Sequence, residues 1–396
     1  MPNYPTVPVN GATNKTHSGK IIMIRKKMVL SGLVLGILLL PACWDDDDKF
    51  GGGDSSVMLP VDHAPVTVTL NGVSIDTWMY QIQGLGGYDA AEVGGVSAKE
   101  AIDTLAATDY DMLVVEPGHN FKYTDDLYDT GYLVSQLKQK PNGDDRVLLA
   151  YVDIGEAEDY RDYWDDDAWV APIENSGVGS PDFLVTIDPN GWSGNYPVAY
   201  WDTRWKDIWT GAGGIIAQLV SAGFHGVYLD WIEAYDDDYI IAAAADAGKN
   251  PAAEMMSFIE EIRAAGEAID PDFLIIAQNA PYLLDDDPSR YSGMIDAIAT
   301  EDTWFYGEGD VEWDEAGSGD LAGGDRHEFD GYSTANRIAQ NQKYLAAGVP
   351  VFSVDYCISK ANAHDTYINA LDQGFVPIVS QVSLSRLTET PLVFSE

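Results

Sequence analysis

The sequence predicts an α/β protein, a (β/α)8 TIM barrel formed by a single domain. Three observations predict it. Short apolar runs recur along the chain and most stop on a carboxylate or an amide, as buried parallel strands with functional ends do. Helical stretches lie between the runs, which makes them βα units and the sheet parallel. About 330 residues of such units, with functional groups at the strand C-terminal ends, fit the barrel.

Nine segments read as strands, one more than the barrel holds: 75–82, 111–116, 147–153, 198–201, 226–230, 273–278, 296–301, 350–355 and 374–380. The run at 111–116 ends on Glu116 and the next on Asp153. In Gly226-Val227-Tyr228-Leu229-Asp230 the alternation puts Tyr228 and Asp230 on one face and Val227 and Leu229 on the other. Phe273–Asn279 ends in the amides Gln278 and Asn279, while 296–301 and 350–355 end on Glu301 and Asp355. Three helices have clear signals. One opens at Ser97 with Glu100 three residues on and turns Ile102 and Leu105 inward. A second sets Met255, Phe258, Ile259 and Ile262 at helical spacing, a core stripe. A third starts near Ser333, carries Ile338 and Leu345, and stops at Gly348 with Pro350 beyond. A doubly wound open sheet is the alternative, but no Gly-rich nucleotide loop follows the first strand, and Gly84-x-Gly86-Gly87 lacks the spacing for one.

The charge balance excludes one class of partner. With 22 Lys+Arg against 64 Asp+Glu, the net charge is −42, which repels nucleic acid. Such a field draws a cationic ligand inward, although acidic loop runs such as Asp165–Asp167, Asp236–Asp238 and Asp285–Asp287 equally suit a surface adapted to solubility. No cofactor is expected. The six His show no His-x-x-x-His spacing for zinc, and a hydrolase using its acid cluster to hold Mg²⁺ or Ca²⁺ is a rival reading.

The N-terminal part divides into three. Residues 1–22 add nothing to a targeting signal and read as an extension before a start at Met23 or Met28. Residues 23–42 have a basic start, Met23-Ile24-Arg25-Lys26-Lys27, and an apolar run, Val29–Leu40, of secretory-signal length, too short for a membrane span. Leu40-Pro41-Ala42-Cys43 resembles a bacterial lipobox, which implies lipidation of Cys43 and an extracytoplasmic place in the cell envelope, anchored to a membrane. Residues 43–65 read as a flexible acidic and Gly-rich tether, and 66–396 as the barrel domain. Cys357 then remains as the other thiol, a packing residue.

Carboxylates at strand ends are the groups that cut glycosidic bonds, one protonated and one ionised. Asp153, Glu156, Glu158 and Asp355 are candidate substrate contacts, with internal pairing of Glu156 and Glu158 to Arg161 as the competing role. Tyr80, Tyr151, Trp201, Trp231 and Tyr356 lie at or near strand ends, as do Trp78 and Trp304, where rings stack on sugars or pack locally.

Tyr151–Trp164 resembles the YxxIGEAExYRxYW signature of glycoside hydrolase family 114, the endo-α-1,4-polygalactosaminidases. Val198-Ala199-Tyr200-Trp201-Asp202 with Trp205, Gly226–Asp230, Gln278-Asn279, Glu301-Asp302 and Val354-Asp355-Tyr356 match in the same order. The resemblance implies a secreted barrel hydrolase that cleaves internal α-1,4 bonds in a galactosamine-containing, cationic polysaccharide. It places the catalytic pair on Asp230 and Glu301, and Asn279 in the site. Asp230 is assigned as nucleophile or base and Glu301 as general acid, with the reverse order open. A non-catalytic carbohydrate-binding lipoprotein on the same barrel, or a hydrolase of another glycan, is the alternative.

Overall fold

The computed structural model describes residues 63–82, 98–118, 130–173, 177–308, 316–323, 332–380, 382 and 384 of the 396. The extension, the signal, Cys43 and nearly all of the tether lie outside the described residues, as do Ser97 and residues 385–396. Among the described residues no helix is long and apolar enough to cross a membrane.

Eight strands form one parallel sheet: β1 (Trp78–Gln81), β2 (Met112–Val115), β3 (Val147–Asp153), β4 (Gly226–Asp230), β5 (Leu274–Gln278), β6 (Ala297–Glu301), β7 (Val351–Tyr356) and β8 (Val376–Ser380). They stand in chain order, each beside the next. The sheet curls until its edges meet, where the Trp78 indole donates to the Val376 carbonyl at 3.1 Å and Ile82 N to the Leu384 carbonyl at 3.0 Å. This is a nearly closed (β/α)8 barrel, as the sequence predicts.

The surplus strand candidate is 198–201. Val198 and Tyr200 are fully buried, but the segment holds a single bridge, Val198 to Leu184, and then a turn, after a two-stranded antiparallel ribbon, Glu156–Glu158 with Asn195–Pro197, whose first strand follows β3. Burial in loop packing made its apolar run look like a strand.

The helix Pro251–Glu267 buries Met255, Phe258, Ile259 and Ile262, the predicted stripe. The helix Thr334–Ala346 starts at Ser333, whose hydroxyl accepts from Asn336 N, but its buried face is not the expected apolar one. Arg337, Gln340, Asn341 and Tyr344 face inward, while Ile338 and Leu345 are half-buried. The reason is polar anchoring. Gln340 and Tyr344 donate to the Pro281 carbonyl at 2.9 and 2.7 Å, and Asn341 donates to Thr300 Oγ1 on β6 at 2.8 Å. Such buried hydrogen bonds fix the helix against the strand more specifically than an apolar stripe would.

Inside the barrel, Trp78, Tyr228, Tyr80 and Tyr151 form a column with neighbouring ring centroids 4.9–6.4 Å apart. Trp78 and Tyr80 are thus core residues, 1% exposed. Gly226 opens β4 because a Cβ there would press into the Leu274 carbonyl oxygen of β5. Gly226→Ala is expected to force β4 and β5 apart and cost about 1–3 kcal/mol, read as a lowered midpoint in urea denaturation.

Candidate active site

The C-terminal ends of β3, β4 and β6 bring Asp153, Asp230 and Glu301 to one face of the barrel. Asp153 and Asp230 stand opposite each other in the β3–β4 register. Each of the two expected catalytic carboxyls is held by neutral donors. Asp230 accepts from Tyr151 Oη at 2.5 Å through Oδ2 and from Trp231 N at 2.7 Å through Oδ1. Glu301 accepts from Tyr356 Oη through Oε1, and through Oε2 from Gln278 Nε2 and Asn279 Nδ2, both at 2.9 Å. The amide orientations follow from their other contacts: Asn279 Oδ1 accepts from Glu301 N at 3.0 Å, and Gln278 Oε1 accepts from Tyr80 Oη at 2.9 Å.

A symmetry of chemistry results. In each carboxyl one oxygen faces donors that cannot accept, an amide NH or NH2, while the other faces a tyrosine hydroxyl that can do both. A proton on Glu301 therefore belongs on Oε1, and one on Asp230 on Oδ2. Burial pushes the Asp230 carboxyl up to about 7, against the Tyr151 hydrogen bond that favours the anion and with the Glu301 charge adding to the rise.

Local backbone makes this possible. Trp231, Asn279, Ala280 and Asp302 have φ of 56°, 52°, 50° and 60°, left-handed values that cost energy in a non-glycine residue and directly follow the ends of β4, β5 and β6. At Asn279 the turn breaks strand alternation, so that Gln278 and Asn279, which a continued strand would point to opposite faces, reach the same Glu301 oxygen. Gly155 permits the turn after Asp230, since a Cβ there would collide with the Trp231 carbonyl oxygen. Arg337 Nη1 donates to the Glu301 carbonyl at 2.6 Å and ties the end of β6 to the helix behind it.

The other predicted site residues are placed as follows. Glu158 turns to Arg161, whose Nε reaches it at 2.6 Å, and Arg161 Nη1 reaches Glu116 at 2.7 Å, a buried carboxylate–guanidinium–carboxylate trio. Glu116 is still pushed up to about 7, burial outweighing the nearby cation. Asp153 accepts from Gly155 N at 3.1 Å and Glu156 N at 2.9 Å, which shapes the turn into the strand Glu156–Glu158. Burial, then Glu158 and Asp230, raise it well above the carboxylate range. Glu156 is fully buried, accepts from Asn195 Nδ2 at 3.1 Å, and is raised likewise by burial and then by Asp153. Asp355 accepts from Trp304 N at 2.6 Å and Phe305 N at 2.9 Å and so holds the segment after Glu301. Tyr356 and Tyr151 act through their hydroxyls on the acids. Trp231 is 9% exposed and presents little ring face, whereas half-buried Trp201 packs edge-on against Tyr200. Sequence reasoning gives Arg337 and Glu233 no role in the site and takes Gln278 only as part of a motif. The signal for Glu233 was its place one helical turn after Asp230. Among the described residues no group of three or more His, Cys, Asp or Glu side chains is arranged to hold a metal ion.

Parallel strands whose C-terminal ends gather paired carboxyls define a barrel hydrolase. The chain belongs to the glycoside-hydrolase family GH114, whose model matches residues 119–392, and it is a glycoside hydrolase. It is 28% identical over 362 residues to an uncharacterized protein of Deinococcus radiodurans, covering 90% of this chain and 97% of that one. An uncharacterized protein of Methanocaldococcus jannaschii is 28% identical over 297 residues, 71% of this chain and 72% of that one. The glycoside hydrolase domain of PelA from Pseudomonas aeruginosa overlays with a TM-score of 0.52 at 17% identity, covering 80% of this chain and 98% of that domain, a likeness of fold.

The trio around Arg161 gives a test that needs no substrate. Arg161→Met leaves Glu116 and Glu158 buried without their cation and is expected to cost about 3–5 kcal/mol in urea denaturation. A loss below about 1 kcal/mol, the range of exposed ion pairs, would remove the trio from the account of stability.

Proposed function

We propose that the chain cleaves internal α-1,4 bonds of a galactosamine-containing, cationic polysaccharide by a two-carboxylate mechanism, with Asp230 and Glu301 as the pair. The observation that carries the reading is the matched housing of these two carboxyls, each with one oxygen fixed by donors and one facing a tyrosine hydroxyl. Family membership supports a glycan as substrate, and the resemblance of the Tyr151–Trp164 motif supports galactosamine linkages. The net charge of −42 suits a cationic polymer.

In this reading Glu301 gives the proton on Oε1 to the glycosidic oxygen as the bond to the anomeric carbon breaks. Tyr356 orients that proton. Asp230, ionised, supplies the electron pair to the anomeric carbon directly or through a water, and the Trp231 amide and Tyr151 hydroxyl hold it in place. Asp153, Glu156 and Asp355 shape the turns around the pair. The lipobox at Leu40–Cys43 supports an envelope location, with the barrel tethered to a membrane through Cys43.

Asp230→Asn is expected to lower kcat by about 10³-fold or more, measured as reducing ends released from partly deacetylated α-1,4-galactosaminogalactan. Full activity in that variant would remove Asp230 from the mechanism. Because Asp230 must be ionised to attack and burial pushes its carboxyl up to about 7, kcat/KM of the parent should fall as pH drops through about 7. A fall above that pH instead would exchange the roles of the two acids. Tyr151→Phe takes away a hydrogen bond that favours the anion, so the acidic limb of the same profile should move to higher pH.

A further inference from the structure

Tyr80 is a core residue of β1, its ring centroid 4.9 Å from that of Tyr228 and 6.2 Å from that of Tyr151. Its hydroxyl nevertheless reaches the acid machinery. β1 and β5 are not neighbours in the sheet, yet Tyr80 Oη crosses the barrel interior and donates to Gln278 Oε1, on the last residue of β5, at 2.9 Å. Gln278, 3% exposed, passes the contact on through Nε2 to Glu301 Oε2 at the end of β6, also at 2.9 Å. Three strands are thus joined by one run of hydrogen bonds that ends on Glu301. Among the described residues Gln278 is the one partner of the Tyr80 hydroxyl.

Two arrangements of this run would satisfy Glu301. In the observed one the amide NH2 of Gln278 faces Oε2, so the proton of a neutral Glu301 sits on Oε1, beside the Tyr356 hydroxyl. In the other the amide is turned over, and its carbonyl accepts a proton carried on Oε2. Asn279 takes no part in the choice, because its Oδ1 is held by the Glu301 backbone N–H at 3.0 Å. With Tyr80 in place the turned arrangement leaves a buried phenol proton without an acceptor, a cost that buried donors rarely bear. The phenol keeps that proton: burial first, and the Asp230 charge next, hold it well above its ordinary value.

We propose that Tyr80 is a positioning residue for the acid: by donating to Gln278 Oε1 it fixes the amide with Nε2 toward Glu301 and so confines the acid's proton to Oε1. The inference rests on the assignment of Glu301 as general acid above and deepens it, by naming what decides which oxygen carries the proton. Without the Tyr80 hydroxyl neither orientation of the amide has a partner on that side, and the bias is lost. An amide carbonyl is a better acceptor than the Tyr356 phenol oxygen, so the neutral acid then turns the amide and donates to it from Oε2. Oε1, the oxygen that delivers the proton to the glycosidic bond, is left bare.

The test compares Tyr80→Phe with the parent on deacetylated α-1,4-galactosamine oligomers and on dinitrophenyl glycosides of the same sugar, whose leaving group departs without a proton. Loss of acid catalysis should lower kcat/KM about tenfold or more on the oligomers and less than about threefold on the dinitrophenyl glycosides. In a Gln278→Met background Tyr80→Phe should cost less than about twofold further, because Tyr80 acts through that amide. Equal losses on both substrates, no loss on either, or an undiminished loss in the Gln278→Met background would leave Tyr80 a packing residue alone and overturn the proposal. The pH titration of an isotope-labelled Glu301 carboxyl, followed by NMR, needs no substrate. Tyr80→Phe should move it to higher pH, since the turned amide favours the neutral acid, and should leave it unmoved in the Gln278→Met background. If the parent cuts neither substrate, the functional reading fails, yet the titration still decides the inference: that pattern supports it, and no movement, or equal movement in both backgrounds, overturns it. An unfolding midpoint for Tyr80→Phe close to that of the parent shows that the fold is intact.

Discussion

Closing eight strands into a barrel forces their C-terminal ends together, and in this chain those ends are acidic. Asp153 and Asp230 are direct register partners, and Glu116, Glu156, Glu158 and Glu301 crowd behind and beside them. Every other feature of the site answers that crowding. One guanidinium, Arg161, holds two of the acids, neutral tyrosines and amides hold the catalytic pair, and burial raises Asp153 and Glu156 above the carboxylate range. The arrangement has an energetic cost. Asp230, Glu116 and Asp355 keep protons up to about 7 in the folded chain, whereas an unfolded chain releases them near pH 4. Over that window the folded state binds more protons, so these groups make the fold less stable as pH rises.

The strain and the close approaches serve the same end. Left-handed residues after β4, β5 and β6 turn the chain sharply at the points where acids and amides must face inward, and Gly155 leaves room for the first of these turns. The polar face of Thr334–Ala346 then pins β6 from behind through Thr300 and the Glu301 carbonyl. A site built this way has its geometry set before substrate arrives, which is what electrostatic catalysis requires.

The strands were legible because buried parallel strands write themselves as apolar runs, and the acids at their ends marked the working face. The run at 198–201 misled for the same reason, since loop packing buries residues as completely as a sheet does. The face of the helix at 334–346 was misread because its partners, the Pro281 carbonyl and Thr300, are polar and distant in sequence. The roles of Tyr151 and Tyr356 were half legible: their positions near Asp230 and Glu301 followed from the strands, while the use of the hydroxyl rather than the ring depended on side-chain direction. Gln278, the last residue of β5, was visible only as part of a motif, and Glu233 escaped because alternation assigns residues to faces only while the strand continues and it lies on the turn beyond β4.

The central claim is that Asp230 and Glu301 flank the bond that is cut. The most direct measurement is a crystal structure of the Glu301→Gln variant with a galactosamine oligosaccharide bound across the site. The account predicts a glycosidic oxygen within hydrogen-bond reach of the residue 301 side chain and the adjoining anomeric carbon facing the Asp230 carboxylate. An oligosaccharide bound in order but away from these two side chains would contradict it.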